Sequence, residues 1–138
     1  MAVPAFTVTG ICKGGRAGGN VALAEGGIYF HNEHPKALGG SGEGVNPEQL
    51  FAMGWATCFN GAVLLVASQR KIDAHKATVK CTVGLGKDET SYGLSAKITL
   101  SVPGLDPAQV QELVEAAHQV CPYSKATHNN IPVELAVE

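Results

Sequence analysis

The sequence predicts an α+β fold with antiparallel sheet. Short apolar segments separated by glycine-rich turns predict strands near the start of the chain. A long uncharged segment in the middle predicts a buried helix, and two later β-rich segments joined by a polar connection predict a hairpin. The resulting order, β-β-β-α-β-β-α-β, lacks the regular alternation of strand and helix that a doubly wound fold requires.

The N-terminal strands are defined by alternating apolar residues and by glycine. Alternation over residues 6–12 predicts the first strand, and the glycine-rich turn at 14–19 separates it from a second strand at 21–23. A third strand is predicted at 28–30 and is followed by a long loop over 31–45. These elements together form a predicted β-meander.

The central helix has a well-defined start. Asn46 suits the N-cap, Pro47 suits the first helical position, and Gln49 completes a capping box, which predicts a helix over 47–71. Residues 49–69 contain no charged side chain, and their number is sufficient to span a bilayer. Because polar and small residues occur along the whole segment, we expect a buried central helix and no membrane span.

The second half of the chain contains a hairpin, a helix and a last strand. Strands are predicted over 78–85 and 94–102, and the chain closes with a strand over 133–137. Asp106 is the predicted cap of a second helix with apolar residues at helical spacing. That helix is expected to end at Cys121, because the following proline disfavours helical geometry at that position.

Length, composition and charge limit the possible functions. A chain of 138 residues is the usual size of one domain, and we predict a single domain over residues 1–138. With 45% hydrophobic residues it has enough apolar material for a core. A formal net charge of -2 without a lysine or arginine cluster argues against nucleic-acid binding. The first residues do not resemble a signal peptide, so we expect a cytoplasmic protein.

Four cysteines without a secretory context indicate thiol or redox chemistry more than a disulfide framework. Cys58, taken alone, is most simply a small buried hydrophobic residue of the central helix. Cys121 lies at a helix end, where its sulfur can meet another element. We interpret Cys12 and Cys81, both in predicted strands, as packing residues.

A nucleophilic thiolate needs a nearby cation to lower its pKa, and Arg16 in the glycine-rich turn is the candidate. The alternative for Arg16 is a solvated loop residue. Glu48 could hold this arginine by a salt bridge, or could only complement the helix dipole. Glu48 and Cys58 are about 15 Å apart along one helix. If Arg16 contacts Cys58, we therefore expect its Glu48 partner to come from a second subunit.

Other chemistries have weaker support. The histidines and cysteines show no zinc-ligand spacing beyond the pair His118 and Cys121, and the glycine-rich loops lack the nucleotide-binding patterns. The Gly-x-Ser-x-Gly turn of serine hydrolases is not found in the sequence. We expect no bound cofactor and no metal.

Three motifs are informative together. They are the segment 46–51 leading to Cys58, the segment 118–124 around Cys121, and the Gly-Gly-Arg turn at Arg16. With these motifs the chain resembles the organic hydroperoxide resistance proteins of the OsmC/Ohr superfamily. The Cys-Pro-Tyr-Ser sequence is more similar to this branch than to the osmotically induced branch.

The resemblance implies a thiol-dependent peroxidase that reduces alkyl and fatty-acid hydroperoxides to alcohols. It implies that Cys58 is the peroxidatic cysteine and Cys121 the resolving one, and that they pass through a sulfenic acid and a disulfide. It further implies that Arg16 stabilises the thiolate and orients the peroxide, and that Glu48 anchors Arg16. The four aromatic residues near these cysteines could bind the alkyl chain, or could be ordinary core: Phe51, Trp55, Phe59 and Tyr123.

The resemblance also implies an assembly and a reductant. The expected assembly is an intertwined homodimer in which antiparallel sheets surround long central helices. The expected reductant is an external dihydrolipoyl dithiol, either dihydrolipoamide or a lipoylated protein.

Three alternatives remain open at this point. The first is a peroxidase of the osmotically induced branch with broader specificity. The second is a binding module for hydrophobic small molecules, in which Cys58 only lines the cavity. The third is a structural disulfide between Cys58 and Cys121 that no substrate changes.

Overall fold

A computed structural model describes residues 3–138. The chain divides into two compact units, the first ending at Leu50 and the second running from Phe51 to Glu138. Within the described residues there are two three-stranded sheets and three α-helices. The predicted α+β class is confirmed. The prediction that residues 1–138 fold as one domain stays a prediction.

The first unit contains an antiparallel meander. Its strands are β1 (Gly10–Lys13), β2 (Asn20–Leu23) and β3 (Tyr29–His31), in the order β1-β2-β3. The first strand begins later than the alternation over residues 6–12 predicts. In the long loop that follows, a short 3-10 helix spans Lys36–Leu38.

The central helix α1 spans Pro47–Gln69. Its predicted capping box is present: the Gln49 backbone N–H donates to Asn46 Oδ1 at 2.8 Å, and the Asn46 N–H donates to Gln49 Oε1 at 3.0 Å. The helix ends before the predicted residue 71, because Lys71 adopts a left-handed conformation with φ of 56°.

Helix α1 is long and apolar enough to cross a membrane by length and composition alone, and one such helix is weak support for a membrane span. Six of its residues are buried in the core of the protein: Trp55, Phe59, Ala62, Val63, Val66 and Ala67. This agrees with a core helix.

The second sheet contains β4 (Thr78–Lys87), β5 (Tyr92–Ser101) and β6 (Val133–Val137), in the order β4-β5-β6. Strands β4 and β5 form the predicted antiparallel hairpin. The expectation of purely antiparallel sheets needs a correction here, because β6 runs parallel to β5. A parallel pair requires a crossover, and two helices between β5 and β6 supply it.

Helix α2 spans Pro107–Val120, and the Asp106 carboxylate accepts from the Ala108 N–H at 3.1 Å, as the predicted cap requires. A third helix, α3 (Pro122–Thr127), was not predicted. Cys121 lies between the two helices in an extended conformation, which is the conformation that a following proline favours. The turn from α2 to α3 therefore has a cysteine at its centre.

Candidate active site

The structure brings the two predicted catalytic cysteines together. Cys121 Sγ lies 3.2 Å from Cys58 Sγ, although the residues are 63 positions apart in sequence. Both are free thiols, Cys121 fully buried and Cys58 partly accessible. A disulfide requires about 2.05 Å between sulfurs, so a movement of about 1 Å would allow the bond to form.

The surroundings of Cys58 favour its neutral form. Burial raises the pKa of the Cys58 thiol most, and the hydrogen bond and charge of Cys121 raise it further. A backbone hydrogen bond from Tyr123 acts in the opposite direction, but the pKa stays raised overall. A thiolate at Cys58 therefore needs an additional cation.

Of the two remaining cysteines, one agrees with the predicted packing role and one does not. Cys12 is exposed on β1, and its sulfur lies 3.6 Å from the Asn32 side-chain amide. Cys81 is half-buried on β4 beside the core, and burial raises the pKa of its thiol to about 11. Cys81 therefore agrees with a packing residue, whereas Cys12 does not.

Arg16 and Glu48 form a salt bridge within the first unit of one chain. The turn that carries Arg16 is tight, since a Cβ at Gly19 would lie 2.3 Å from Gly15 O. The expectation that a second subunit supplies the Glu48 carboxylate applies only if Arg16 contacts Cys58, and it stays a prediction. The arginine and the glutamate of one chain act as a pair.

The two members of this pair are partly exposed. The Arg16 side chain has 39% of its surface exposed and the Glu48 side chain 19%. Arg16 Nε is buried and has no hydrogen-bond partner among residues 3–138. The guanidinium group thus has a donor left to bind another group.

The four predicted pocket aromatics divide into two kinds. Trp55 and Phe59 are fully buried, and they belong to the core as in the alternative interpretation. Phe51 stacks on Trp55 with ring centroids 5.3 Å apart, and lies 6.0 Å from the ring of Tyr123. Tyr123 is 41% exposed and Phe51 is partly exposed, so these two rings have surface that a substrate can contact.

Two contacts made by residues of segment 118–124 were not predicted from the sequence. Trp55 Nε1–H donates to Ser124 Oγ at 3.3 Å, and both residues are buried. The His118 ring lies against Phe59, with centroids 6.4 Å apart, and burial and then His128 lower its pKa. The motif Cys-Pro-Tyr-Ser contains Ser124, but no local pattern indicates its tryptophan partner.

Among residues 3–138, no group of three or more His, Cys, Asp or Glu side chains is arranged to hold a metal ion.

Comparisons with known proteins agree with this architecture. The family described as OsmC-like protein matches residues 40–136. An organic hydroperoxide resistance protein of Xanthomonas axonopodis pv. citri (strain 306) is 41% identical over 134 residues, which cover 96% of this chain and 94% of the relative.

Solved structures give the same result. An organic hydroperoxide resistance protein from Elizabethkingia anophelis has a TM-score of 0.90 at 39% identity, with 98% of this chain and 97% of that chain covered. Organic hydroperoxide resistance protein OhrB of Bacillus subtilis has a TM-score of 0.87 at 38% identity, with coverages of 96% and 98%.

Fold and site thus define an α+β protein with two thiols in contact between a core helix and a helix–helix turn. The chain belongs to the organic hydroperoxide resistance proteins of the OsmC-like family. Family membership supports a role in the detoxification of organic hydroperoxides.

Proposed function

We propose that this protein is a thiol peroxidase that reduces organic hydroperoxides to alcohols with Cys58 and Cys121. The observation that supports the proposal most is the 3.2 Å separation of the two sulfurs across the core. The names of its relatives, organic hydroperoxide resistance proteins, agree with the substrate class.

The reaction proceeds in three balanced steps. The Cys58 thiolate attacks the terminal peroxide oxygen, the O–O bond breaks, and the alkoxide leaves and takes a proton to become the alcohol. The Cys58 sulfenic acid then condenses with the Cys121 thiol, which forms a disulfide and releases water. An external dithiol reduces the disulfide by exchange and leaves as its own disulfide.

Arg16 and Glu48 supply the cation that Cys58 needs. Glu48 orients the guanidinium group, and the remaining N–H donors of Arg16 stabilise the thiolate and bind the peroxide oxygens. Glu48 and Cys58 of one chain are about 15 Å apart along α1. We therefore place Arg16 and Glu48 of the partner subunit beside Cys58 in a homodimer.

The substrate's alkyl group binds next to the cysteines. The exposed edges of Phe51 and Tyr123 offer apolar surface there. An alkyl or fatty-acid chain gains free energy from this surface, whereas hydrogen peroxide has no group to place on it.

The reductant is a dihydrolipoyl group, as dihydrolipoamide or on a lipoylated protein. Cys121 is fully buried and Cys58 only partly accessible, so a slender dithiol reaches the disulfide more easily than a folded protein surface does. Attack on the sulfur of Cys58 releases the Cys121 thiol first.

Turnover measurements test this proposal. The purified protein is mixed with cumene hydroperoxide and dihydrolipoamide, and peroxide loss and dithiol oxidation are followed together. The expected result is one dithiol oxidised for each peroxide consumed, over many turnovers. Loss of neither reagent above the rate without protein would overturn the peroxidase proposal. Turnover with a thioredoxin system and not with dihydrolipoamide would overturn the proposed reductant.

A further inference from the structure

The segment 121–124 packs on one face of helix α1, one contact for each helical turn. The Tyr123 ring lies near Phe51. Further along the same face of α1, the sulfur of Cys121 contacts the sulfur of Cys58. Residues three to four positions apart share one helix face, so these contacts form a continuous strip. Between the ends of the strip lie Gly54 and Trp55.

Gly54 allows the tyrosine ring to lie close to the helix. A Cβ at this position would be 3.2 Å from Tyr123 Oη and 3.3 Å from its Cε2, which is closer than ordinary contact. Thr127 holds the other side of the segment, because its hydroxyl donates to the carbonyls of Tyr123 at 2.9 Å and Ser124 at 3.1 Å. The segment is thus fixed both to α1 and to its own short helix.

Besides the contact between the two sulfurs, the strip contains a hydrogen bond between side chains from Trp55 Nε1–H to Ser124 Oγ. Trp55 has no exposed surface and Ser124 only 2%. A buried indole N–H without an acceptor is costly, so the tryptophan favours the arrangement in which Ser124 lies beside it. Cys121 is three residues before Ser124 in the same segment, so a contact that fixes Ser124 also restricts the position of Cys121.

We propose that Trp55 and Ser124 are positioning residues that hold the Cys121 thiol against Cys58 for the resolving step. This inference rests on the proposed peroxidase function. After the first peroxide is reduced, the Cys58 sulfenic acid either condenses with Cys121 or reacts with a second peroxide to give sulfinic acid. A thiol held in contact reacts faster than one on a mobile segment. The Trp55–Ser124 hydrogen bond therefore controls the ratio of disulfide to sulfinic acid.

Three variants test the pair: Ser124→Ala removes the acceptor, Trp55→Phe removes the donor, and the double variant removes both. Val114→Ala, at a fully buried position of α2 outside segment 121–124, is the matched control for a loss of core packing and stability. Each protein is compared with the wild type in two assays, and thermal unfolding of each is recorded.

The first assay does not depend on peroxide chemistry. The Cys58–Cys121 disulfide is equilibrated with reduced and oxidised dithiothreitol, and the oxidised fraction is measured by mass spectrometry after acid quench. Ser124→Ala and Trp55→Phe are each expected to lower the equilibrium constant for the disulfide about tenfold, which corresponds to about 30 mV. The double variant is expected to be no worse than either single variant, because both remove the same contact.

The second assay uses increasing cumene hydroperoxide and counts sulfinic acid at Cys58. The half-maximal peroxide concentration is expected to fall about tenfold in Ser124→Ala and Trp55→Phe, and to stay at the wild-type value in Val114→Ala. Equal values for the wild type and both single variants in the two assays would overturn the positioning role. Effects of the two single variants that add in the double variant would also overturn it. A wild type that forms the disulfide in dithiothreitol buffer but never reacts with hydroperoxide would overturn the proposed function, while the first assay would still decide the positioning role.

Discussion

The two pairs of predicted site residues lie in different physical environments. Cys58 and Cys121 are joined through the core of the second unit, and their sulfurs are in contact without any charged neighbour being required. Arg16 and Glu48 form an ion pair at a glycine-rich turn of the first unit, with the arginine more than one third exposed. One pair is held by packing and the other by charge.

The two pairs are therefore expected to respond differently to salt. Packing holds the sulfurs in place at any salt concentration. An exposed ion pair contributes only about 0–1 kcal/mol in water and is screened by salt. Because burial raises the pKa of Cys58, the packed pair alone is a poor nucleophile, and under the proposed function Arg16 has to offset this effect. The predictions below separate the two contributions.

The largest expected effect concerns the packed pair. Cys58→Ser should reduce peroxide turnover to the rate without protein, because the hydroxyl is not a nucleophile at neutral pH. Cys121→Ser should still consume about one peroxide equivalent per subunit and should then stop as the sulfenic acid. Mass spectrometry of each protein after one equivalent of cumene hydroperoxide checks both outcomes. An active Cys58→Ser protein would remove Cys58 from the mechanism.

The next effect concerns the charged pair. Arg16→Lys keeps the charge but cannot reproduce the forked hydrogen bonds of a guanidinium group, so kcat/KM should fall about a hundredfold. Under the proposed function the same variant should raise the pKa of Cys58 above that of the wild type, because the thiolate loses the hydrogen bonds of the guanidinium group. The rate of iodoacetamide alkylation of Cys58 against pH measures this shift. Lys13→Arg, on the neighbouring strand, is a control in which no change is expected.

Substrate preference tests whether the apolar surface beside the cysteines is used. Three buried methylenes contribute about 0.8 kcal/mol each, so kcat/KM should favour an organic hydroperoxide over hydrogen peroxide by about fiftyfold. Stopped-flow rates with cumene and fatty-acid hydroperoxides measure the ratio. Tyr123→Ala should reduce the ratio by lowering the organic rate alone. Equal rates for organic and inorganic peroxides would indicate a general thiol peroxidase.

Mixed dimers test whether the two pairs meet across subunits. Glu48→Ala lacks the anchor of the charged pair and Cys58→Ser lacks the nucleophile, so each homodimer should be nearly inactive. Random mixing should give one complete site in half of the dimers, hence about a quarter of wild-type activity. Mixing Glu48→Ala with the double variant Glu48→Ala/Cys58→Ser should restore nothing. No recovery in mass-verified heterodimers would place the whole site within each chain.

Local sequence patterns were sufficient to predict most of the helices and strands. The capping residues Asn46 and Asp106 predicted the starts of α1 and α2, and the last strand was predicted with its observed bounds. The parallel direction of β6 could not be predicted. Strand direction depends on the crossover connection, and the sequence of the strand itself does not indicate it. Helix α3 was missed, since six residues are too few to show a helical period.

The site was less accessible to sequence reasoning than the fold. A separation of 63 residues says nothing about contact, and the pairing of Cys58 with Cys121 was expected only from the family resemblance. For Arg16 a solvated loop residue was an equally good interpretation, and for Glu48 position alone favoured a role at the helix dipole. The hydrogen bond between Trp55 and Ser124 was missed because it joins two elements and has no local signature. Contacts between distant segments are decided by packing, which a single sequence does not display.

The smallest expected effect tests how the charged pair depends on the start of α1. Asn46→Ala removes the capping box two residues before Glu48, and Asp106→Ala removes the comparable cap of α2. Each should lower the free energy of unfolding by about 1 kcal/mol, measured by urea denaturation. Only Asn46→Ala should also lower kcat/KM, about threefold, because fraying of the first turn moves the Glu48 carboxylate that orients Arg16. If Asp106→Ala lowers kcat/KM equally, the loss is explained by lower stability and not by the position of Glu48. The Arg16–Glu48 pair would then not depend on the cap of α1.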